Sequence, residues 1–418
     1  MNVNKKIIIV GAGIMGISSA LNLIKRGYDV TIVEKEVNGE PASFGNASWL
    51  SGPSITPVLT PGSFYKIPKM LFSKNGPLFL RFPGVIKILP WLLKYLTYST
   101  KKKTEYISKH LAPLLANSVE EHKKLAKGTD AIKWIKDSPY LYLYKSKEDF
   151  VRDSFIWNIR KEYGFSLIEV QSEELRYLVP GLSKEYKYAI KIENQGYITN
   201  SKNYLKDLLE GFIKLGGKVI EDNVVDITSN KKEIKVKTSK KEIFSDGIVI
   251  AAGVFSDTLS KKFGANVPLQ SERGYHIELN ETNINLEYPL FNGYLKLAIA
   301  PRAKGIRFAG LVEFGSLKSN PNKKAYELLM RNAKSMFPEI TFKNKTEWTG
   351  HRPATIDSLP LIGQSSIDEK VFFAYGHHHI GLTAGPKTGE IISKLISRDN
   401  DQSDLNAYNP ARFNSSNS

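Results

Sequence analysis

The 418-residue chain contains no cysteine. That one absence excludes disulfides, zinc-thiolate centres, iron–sulfur clusters, a cysteine nucleophile and any cofactor carried on a thioether, while allowing a reducing compartment. Arginine is scarce: only 12 of the 59 basic residues are arginine, so the formal charge of +17 rests on lysines spread along the whole chain. Lysine so distributed coats a solvated face. Its densest clusters, Lys101 to Lys103 and the stretch 231–241, lack the interleaved aromatics of a strand-binding groove, so nucleic acid is not an expected partner. What remains is ordinary for a folded protein, with 41% hydrophobic, 24% charged and 11% aromatic residues. The length exceeds the roughly 250 to 300 residues at which one core stops growing, which implies two domains.

No charged residue occurs from Ile7 to Ile24, behind Lys5 and Lys6, a stretch that imitates a signal peptide or membrane anchor. Its internal pattern is different. Ile7 to Val10 is a β-branched run suited to a strand buried on both faces, and it ends in Gly11-Ala12-Gly13-Ile14-Met15-Gly16. Residues 17–26 read as a helix closed by Gly27, and Asp29 to Glu34 reads as a second buried strand with a carboxylate at its end. In that setting Gly11 permits a tight turn, Gly13 lets the backbone approach a pyrophosphate, and Gly16 lets helix and strand pack closely. The helix amino terminus offers N–H groups to the phosphates, and Glu34 can accept from ribose hydroxyls.

Further along, a helical stretch from Ser201 to Leu215 leads through Gly216-Gly217 into strands at 218–220 and 224–227. A buried strand then ends in Ala251-Ala252-Gly253, small enough for a backbone to pass close to a large cofactor. Near the carboxyl end the block 350–363, opening Gly350-His351-Arg352-Pro353, precedes the strand 371–375, the run Gly376-His377-His378-His379-Ile380-Gly381-Leu382-Thr383 and a helix over 386–396.

These residues, with the loop Ser43-Phe44-Gly45-Asn46-Ala47-Ser48, resemble the D-amino-acid oxidase superfamily of flavoenzymes and, within it, the D-amino-acid dehydrogenase branch. The resemblance covers nearly the whole chain. It implies an α/β FAD-binding Rossmann-like domain built from residues 1–60, 191–268 and 350–400, interleaved with an α+β substrate domain, 61–190 and 269–349, on an antiparallel sheet. A mobile tail is expected over 401–418. It implies non-covalent FAD, since the cysteine that carries flavin in some relatives is absent. It places Gly11 to Gly16, Glu34 and Lys35 at the dinucleotide, Ser43 and Asn46 to Ser48 along the flavin, Val225 at the adenine, and Ala252, Gly253 and His377 to Thr383 beside the cofactor. A helix amino terminus near Thr383 would direct N–H groups at the flavin N1 and O2 edge. Two departures stand out: Phe255 where relatives often have tryptophan, and Ser48 where the dehydrogenase branch often has glycine.

By the same resemblance Arg352 holds the substrate carboxylate, as the planar fork of a guanidinium suits. Tyr275 lies over the substrate from the second domain and His379 faces it. Asp357 is an alternative, structural partner for Arg352. Three adjacent histidines also raise the question of a metal, but neighbouring side chains in an extended segment alternate faces and no further ligand is near in sequence, so none is expected. The implied reaction oxidises a Cα–N bond of an amino acid and passes the electrons to oxygen or a quinone. Glycine, sarcosine, proline or hydroxyproline oxidation is the nearest alternative; a flavoenzyme of modified tRNA, or a binding protein that merely retains FAD, is more distant.

Residues 64–103 mix Phe72, Leu78, Trp91, Leu92 and Leu93 with lysines and with Pro68, Pro77, Pro83 and Pro90. The prolines exclude a spanning helix. The composition leaves two readings, short helices packed in the substrate domain or a peripheral contact with an anionic membrane, so a cytoplasmic location is expected, with peripheral contact on the inner face of the cell membrane as the second reading.

Overall fold

The computed structural model describes residues 5–73, 76–81, 84–399 and 404–414. Its first sheet has six strands in the order Lys218–Glu221, Asp29–Glu34, Lys6–Val10, Gly247–Ile250, Val371–Tyr375 and Leu361–Gln364. All neighbours are parallel except the last pair. The central strands are almost wholly apolar because both faces are covered. One face carries helices Ile14–Ile24 and Gly381–Ser397, which approach so closely that a Cβ at Gly389 would collide with the backbone of Ser18. The other face carries a three-stranded antiparallel meander, Val224–Ser229, Ile234–Thr238 and Glu242–Ser245.

The second sheet has nine strands. Eight follow the order Asn344–Thr355, Leu269–Asn280, Gly305–Phe314, Leu297–Arg302, Leu290–Asn292, Tyr140–Tyr144, Tyr188–Ile192 and Ile168–Gln171, with Leu78–Leu80 paired to Gly305–Phe314. The antiparallel character expected from the alternating sequences holds for most of it. Two junctions are parallel: Leu290–Asn292 with Tyr140–Tyr144, and Leu78–Leu80 with Gly305–Phe314. Its inner side packs on helix Lys323–Met336.

Four segments pack differently from the sequence expectation. Helices Lys101–Leu115 and Ser118–Ala126 bury Ile107, Leu111, Leu115, Val119 and Leu125 in the same core as Ile14–Ile24, so this part of 61–190 covers the first sheet. Strands Tyr188–Ile192 and Asn344–Thr355 cross the anticipated boundaries at 191 and 350 and lie wholly in the second sheet. Residues 404–414 are anchored: Tyr408 is buried with its hydroxyl on the His110 carbonyl, and Arg412 is paired with Asp357 at 2.8 Å. The remainder of the anticipated tail, 400–403 and 415–418, lies outside the described residues.

Helix Gly84–Leu96 runs through Pro90. Its Ile88, Trp91 and Tyr95 pack on Phe314, Ala354 and Ile356, while Ile86, Leu89 and Leu93 are exposed on the opposite face with Lys87 and Lys94. Among the described residues no helix is long and apolar enough to cross a membrane. Pro83 lies outside the described residues.

Candidate active site

A cavity of about 1110 Å³ opens between the two sheets. Gly11, with φ +107°, turns the chain off the first strand where the Ala251 carbonyl leaves no room for a Cβ, and a Cβ at Gly16 would strike the carbonyl of Gly11. Gly13 caps the helix without any side-chain bond, so the helix amino terminus opens onto the cavity wall, with only Ser43 Oγ accepting from Ile14 N–H at 3.1 Å. Glu34 Oε2 accepts from Ala12 N–H at 2.6 Å and Oε1 from Glu36 N–H at 3.2 Å, so the carboxylate braces the glycine turn from the end of the second strand. Lys35, Val225, Ala252 and Gly253 complete this end.

A second uncapped helix amino terminus, at Gly381, also borders the cavity. Thr383 Oγ1 donates to the Trp49 carbonyl at 3.1 Å and accepts from Ser51 N–H at 3.3 Å, so the hydroxyl ties this helix to the loop after Ser48. Behind it, His122 Nε2 stands 2.8 Å from the Leu382 carbonyl and Nδ1 stands 2.6 Å from Tyr204 Oη. Burial pushes its pKa down to about 4, which leaves a neutral ring donating through Nε2.

The loop 43–48 is held from behind by the second sheet. Asn46 bonds within the loop, Nδ2 to the Ser43 carbonyl at 2.7 Å and Oδ1 from Ser48 N–H at 2.6 Å. Arg307 donates to the carbonyls of Asn46 at 2.9 Å and Phe44 at 3.2 Å, and Arg302 donates to Ser48 Oγ at 2.7 Å. Both guanidiniums lean on Glu278, at 2.9 and 3.4 Å. The Trp348 indole lies where any Cβ on Gly45 would stand, and His276 donates from Nδ1 to the Gly45 carbonyl at 2.8 Å. Burial, aided by the charges of Arg307 and Arg302, pushes His276 down to about 2, so its ring is neutral. Ser48 sits at φ +62°, which explains the glycine common at this position in the branch the sequence resembles.

At Arg352 the arrangement differs from either sequence expectation. Its Nη1 donates to Glu272 Oε1 at 2.8 Å and to the Leu311 carbonyl at 3.1 Å; Asp357 is paired with Arg412 instead. Gly274, beside Glu272, makes room for the guanidinium, since a Cβ there would collide with it. Nε and Nη2 of Arg352 have no partner among the described residues. Glu272 Oε2 lies 2.9 Å from His378 Nε2, and His378 Nδ1 lies 3.3 Å from His379 Nδ1. Burial alone would raise the Glu272 pKa, but His378, then Arg352 and His379, outweigh it and hold the carboxyl at about 2. His379 opens onto the cavity with protein on its other sides; burial pushes it down to about 3, against the raising effect of Glu272.

Most of the sequence-derived residues meet on this cavity: Gly11, Gly13, Ile14, Met15, Glu34, Lys35, Ser43, Asn46, Ala47, Ser48, Val225, Ala252, Gly253, His377, His378, His379, Gly381, Leu382, Thr383 and Arg352. Gly16 and Ile380 are packed behind the wall, and Ala12 serves Glu34. Tyr275 also borders the cavity. Its ring is 1% exposed and packs against Tyr326, and its hydroxyl accepts from Asn322 N–H at 3.2 Å. Sequence reasoning missed Glu272, Arg302, Arg307 and His122. The scarcity of arginine was the one signal available, since two of only 12 stand five residues apart at 302 and 307.

The residues present fit a flavin dinucleotide. Two helix amino termini without side-chain caps border one cavity, as a pyrophosphate and the polar edge of a ring require, and glycines stand where a Cβ would obstruct the turn. Fold and cavity together define a dinucleotide-dependent oxidoreductase of two interleaved sheets. The chain belongs to the DAO family of FAD-dependent oxidoreductases, whose pattern matches residues 6–395.

It is 32% identical over 417 residues to a D-amino-acid oxidase of Bradyrhizobium diazoefficiens, covering 98% of this chain and 99% of that one. It is 26% identical over 404 residues to a D-amino acid dehydrogenase of Neisseria gonorrhoeae, covering 94% and 95%. In fold it matches a glycine oxidase from Geobacillus kaustophilus with a TM-score of 0.76 at 19% identity, covering 98% and 99%.

Proposed function

We propose that the enzyme oxidises the Cα–N bond of an amino acid: the Cα hydrogen leaves as hydride, and the resulting imine takes up water to give an oxo acid and ammonia. Bound FAD would supply the two-electron acceptor for that hydride. The observation that carries the reading is one cavity wall that sets a guanidinium with free donors, Arg352, beside a neutral imidazole, His379. The names of the curated relatives support a D-amino acid as substrate.

In this reading Nε and Nη2 of Arg352 hold the substrate carboxylate, and Glu272 fixes the guanidinium from behind. His379 Nδ1 stands 3.3 Å from His378 Nδ1, so in this reading Nε2 is the His379 nitrogen turned to the substrate. That nitrogen can accept a hydrogen bond from the substrate's amino group. Loop 43–48 and the Gly381 helix terminus would hold the cofactor's ring, and the glycine turn with Glu34 would hold its dinucleotide. Oxygen or a quinone carries the electrons onward. The exposed row Ile86, Leu89 and Leu93, flanked by lysines, supports a peripheral contact with an anionic membrane surface.

Anaerobic bleaching of the flavin by a panel of D- and L-amino acids, glycine, sarcosine and both prolines tests the proposal. Bleaching by D-amino acids is the expected result, and re-oxidation by oxygen against a quinone analogue then assigns the acceptor. A flavin reduced only by glycine, sarcosine or proline moves the substrate to that class, and one reduced by no member discards the reading.

A further inference from the structure

Two arginines border the cavity, and their charges are balanced differently. Arg352 faces the carboxylate of Glu272. Arg160, on helix Ser154–Glu162, is only 9% exposed and has no acidic partner among the described residues. Its Nε donates to the Pro53 carbonyl at 3.1 Å, and its guanidinium lies over the rings of Trp157 at 4.2 Å and Tyr142 at 4.9 Å. The two Nη atoms have no protein acceptor among the described residues. Asp153, which also borders the cavity, takes the Tyr144 hydroxyl at 3.3 Å and lies beyond ion-pair distance of Arg160.

Every other arginine placed this deeply has its acid: Arg273 with Glu313 at 3.1 Å, and Arg302 and Arg307 with Glu278. A buried guanidinium without a counter-charge is costly, and the cost is removed when an anion enters. The stacked rings fix the guanidinium plane, and the Pro53 carbonyl occupies Nε, so the Nη1–Nη2 edge remains as a two-pronged donor matched to a carboxylate. Ser54 and Thr56 add hydroxyls to the same cavity.

We infer that Arg160 binds a second carboxylate of the substrate, so that the site takes an amino acid with an acidic side chain. This rests on the reading of the cavity as an amino-acid site, with Arg352 on the α-carboxylate. The cofactor's pyrophosphate is assigned elsewhere, at the glycine turn.

The test measures anaerobic flavin reduction in the FAD-loaded wild type, Arg160→Gln and Arg160→Lys, with glutamate and alanine in both stereoisomers. The wild type should favour glutamate, and the glutamate-to-alanine ratio of kcat/KM should fall at least about 30-fold in Arg160→Gln, with Arg160→Lys between the two. No wild-type preference for glutamate, an unchanged ratio, or loss of FAD from the purified variant overturns the assignment. Should no amino acid reduce the wild-type flavin, the functional reading fails on its own. The anion site is then tested by titrating glutarate and following tryptophan fluorescence, since Trp157 lies against Arg160. Saturable quenching in the wild type that Arg160→Gln abolishes supports the site, and its absence in the wild type overturns it.

Discussion

Glu272 and Arg352 stand directly opposite each other on neighbouring strands, with Oε1 2.8 Å from Nη1, and the second oxygen of Glu272 reaches His378 at 2.9 Å. The Arg352 guanidinium, which borders the cavity, is therefore already half of an ion pair with a buried carboxylate. That pairing makes Glu272 a positioning residue, acting through Arg352 on one side and through His378 and His379 on the other.

Replacing Glu272 by Gln should cost about 3 kcal/mol of stability at neutral pH, because it leaves Arg352 and His378 without their shared anion. The sign with pH follows from the depressed pKa. The unfolded carboxyl titrates near its ordinary 4.5 and the folded one near 2, so the stabilisation is complete above pH 4.5 and lost as pH falls from 4.5 towards 2. Urea unfolding across that range should show a slope in the wild type that is flattened in the variant; parallel slopes would remove Glu272 from this role.

Replacing Arg352 by Ala should lower kcat/KM for every amino acid substrate by about 30-fold or more, the usual cost of losing a charge-assisted hold on a desolvated carboxylate. FAD content should be unchanged, since Arg352 bonds to Glu272 and Leu311 and not to the glycine turn or the loop 43–48. Steady-state kinetics beside the flavin-to-protein absorbance ratio checks both. Retained efficiency on all substrates would move the carboxylate site away from Arg352.

What the sequence disclosed was what backbone geometry dictates locally. Gly11 and Gly16 are legible because no other residue fits a turn at φ +107° under the Ala251 carbonyl, or a helix pressed on that turn. Arg352 stands out within a recognisable block, but its partner Glu272 lies 80 residues earlier and meets it only through strand pairing. Arg302 and Arg307 reach the loop 43–48 across more than 250 residues of chain, a relation set wholly by tertiary packing. Tyr275 borders the cavity with its ring packed against Tyr326, a placement that a lone tyrosine in a strand does not disclose in sequence. The helices over 101–126 show an apolar face in sequence, but that face does not say which sheet it will cover.

Replacing Glu34 by Ala should weaken FAD binding about tenfold, a loss of roughly 1.4 kcal/mol for a bracing hydrogen bond. In the structure the carboxylate holds Ala12 N–H, so its removal should loosen the glycine turn. Fluorescence titration of the apoprotein with FAD measures the change. Turnover at saturating FAD should stay close to wild type, and a fall there would give Glu34 a second role.

Exchanging Ile86, Leu89 and Leu93 together for Ser should abolish binding to vesicles containing anionic lipid, since these exposed side chains form the apolar row of helix Gly84–Leu96. The opposite face, with Ile88, Trp91 and Tyr95, keeps the helix docked on Phe314 and Ile356, so the fold should survive the exchange. Co-sedimentation of wild type and variant with vesicles decides it. A wild type that stays in the supernatant at low salt removes the membrane contact.

Ser48 offers a test in which backbone strain and a buried hydrogen bond are separable. Its φ of +62° is costly for any side chain, and its Oγ accepts from Arg302 at 2.7 Å in a fully buried setting. Both Ser48→Ala and Ser48→Gly remove that acceptor and leave a charged donor short of a partner, a cost of about 1 to 3 kcal/mol. Glycine relieves the left-handed backbone and alanine does not, a difference of about 1 kcal/mol. Urea unfolding should therefore rank wild type above Ser48→Gly and Ser48→Ala last. If alanine proved as stable as glycine, the left-handed geometry at Ser48 would not be a source of strain, and the departure from glycine at this position would need another cause.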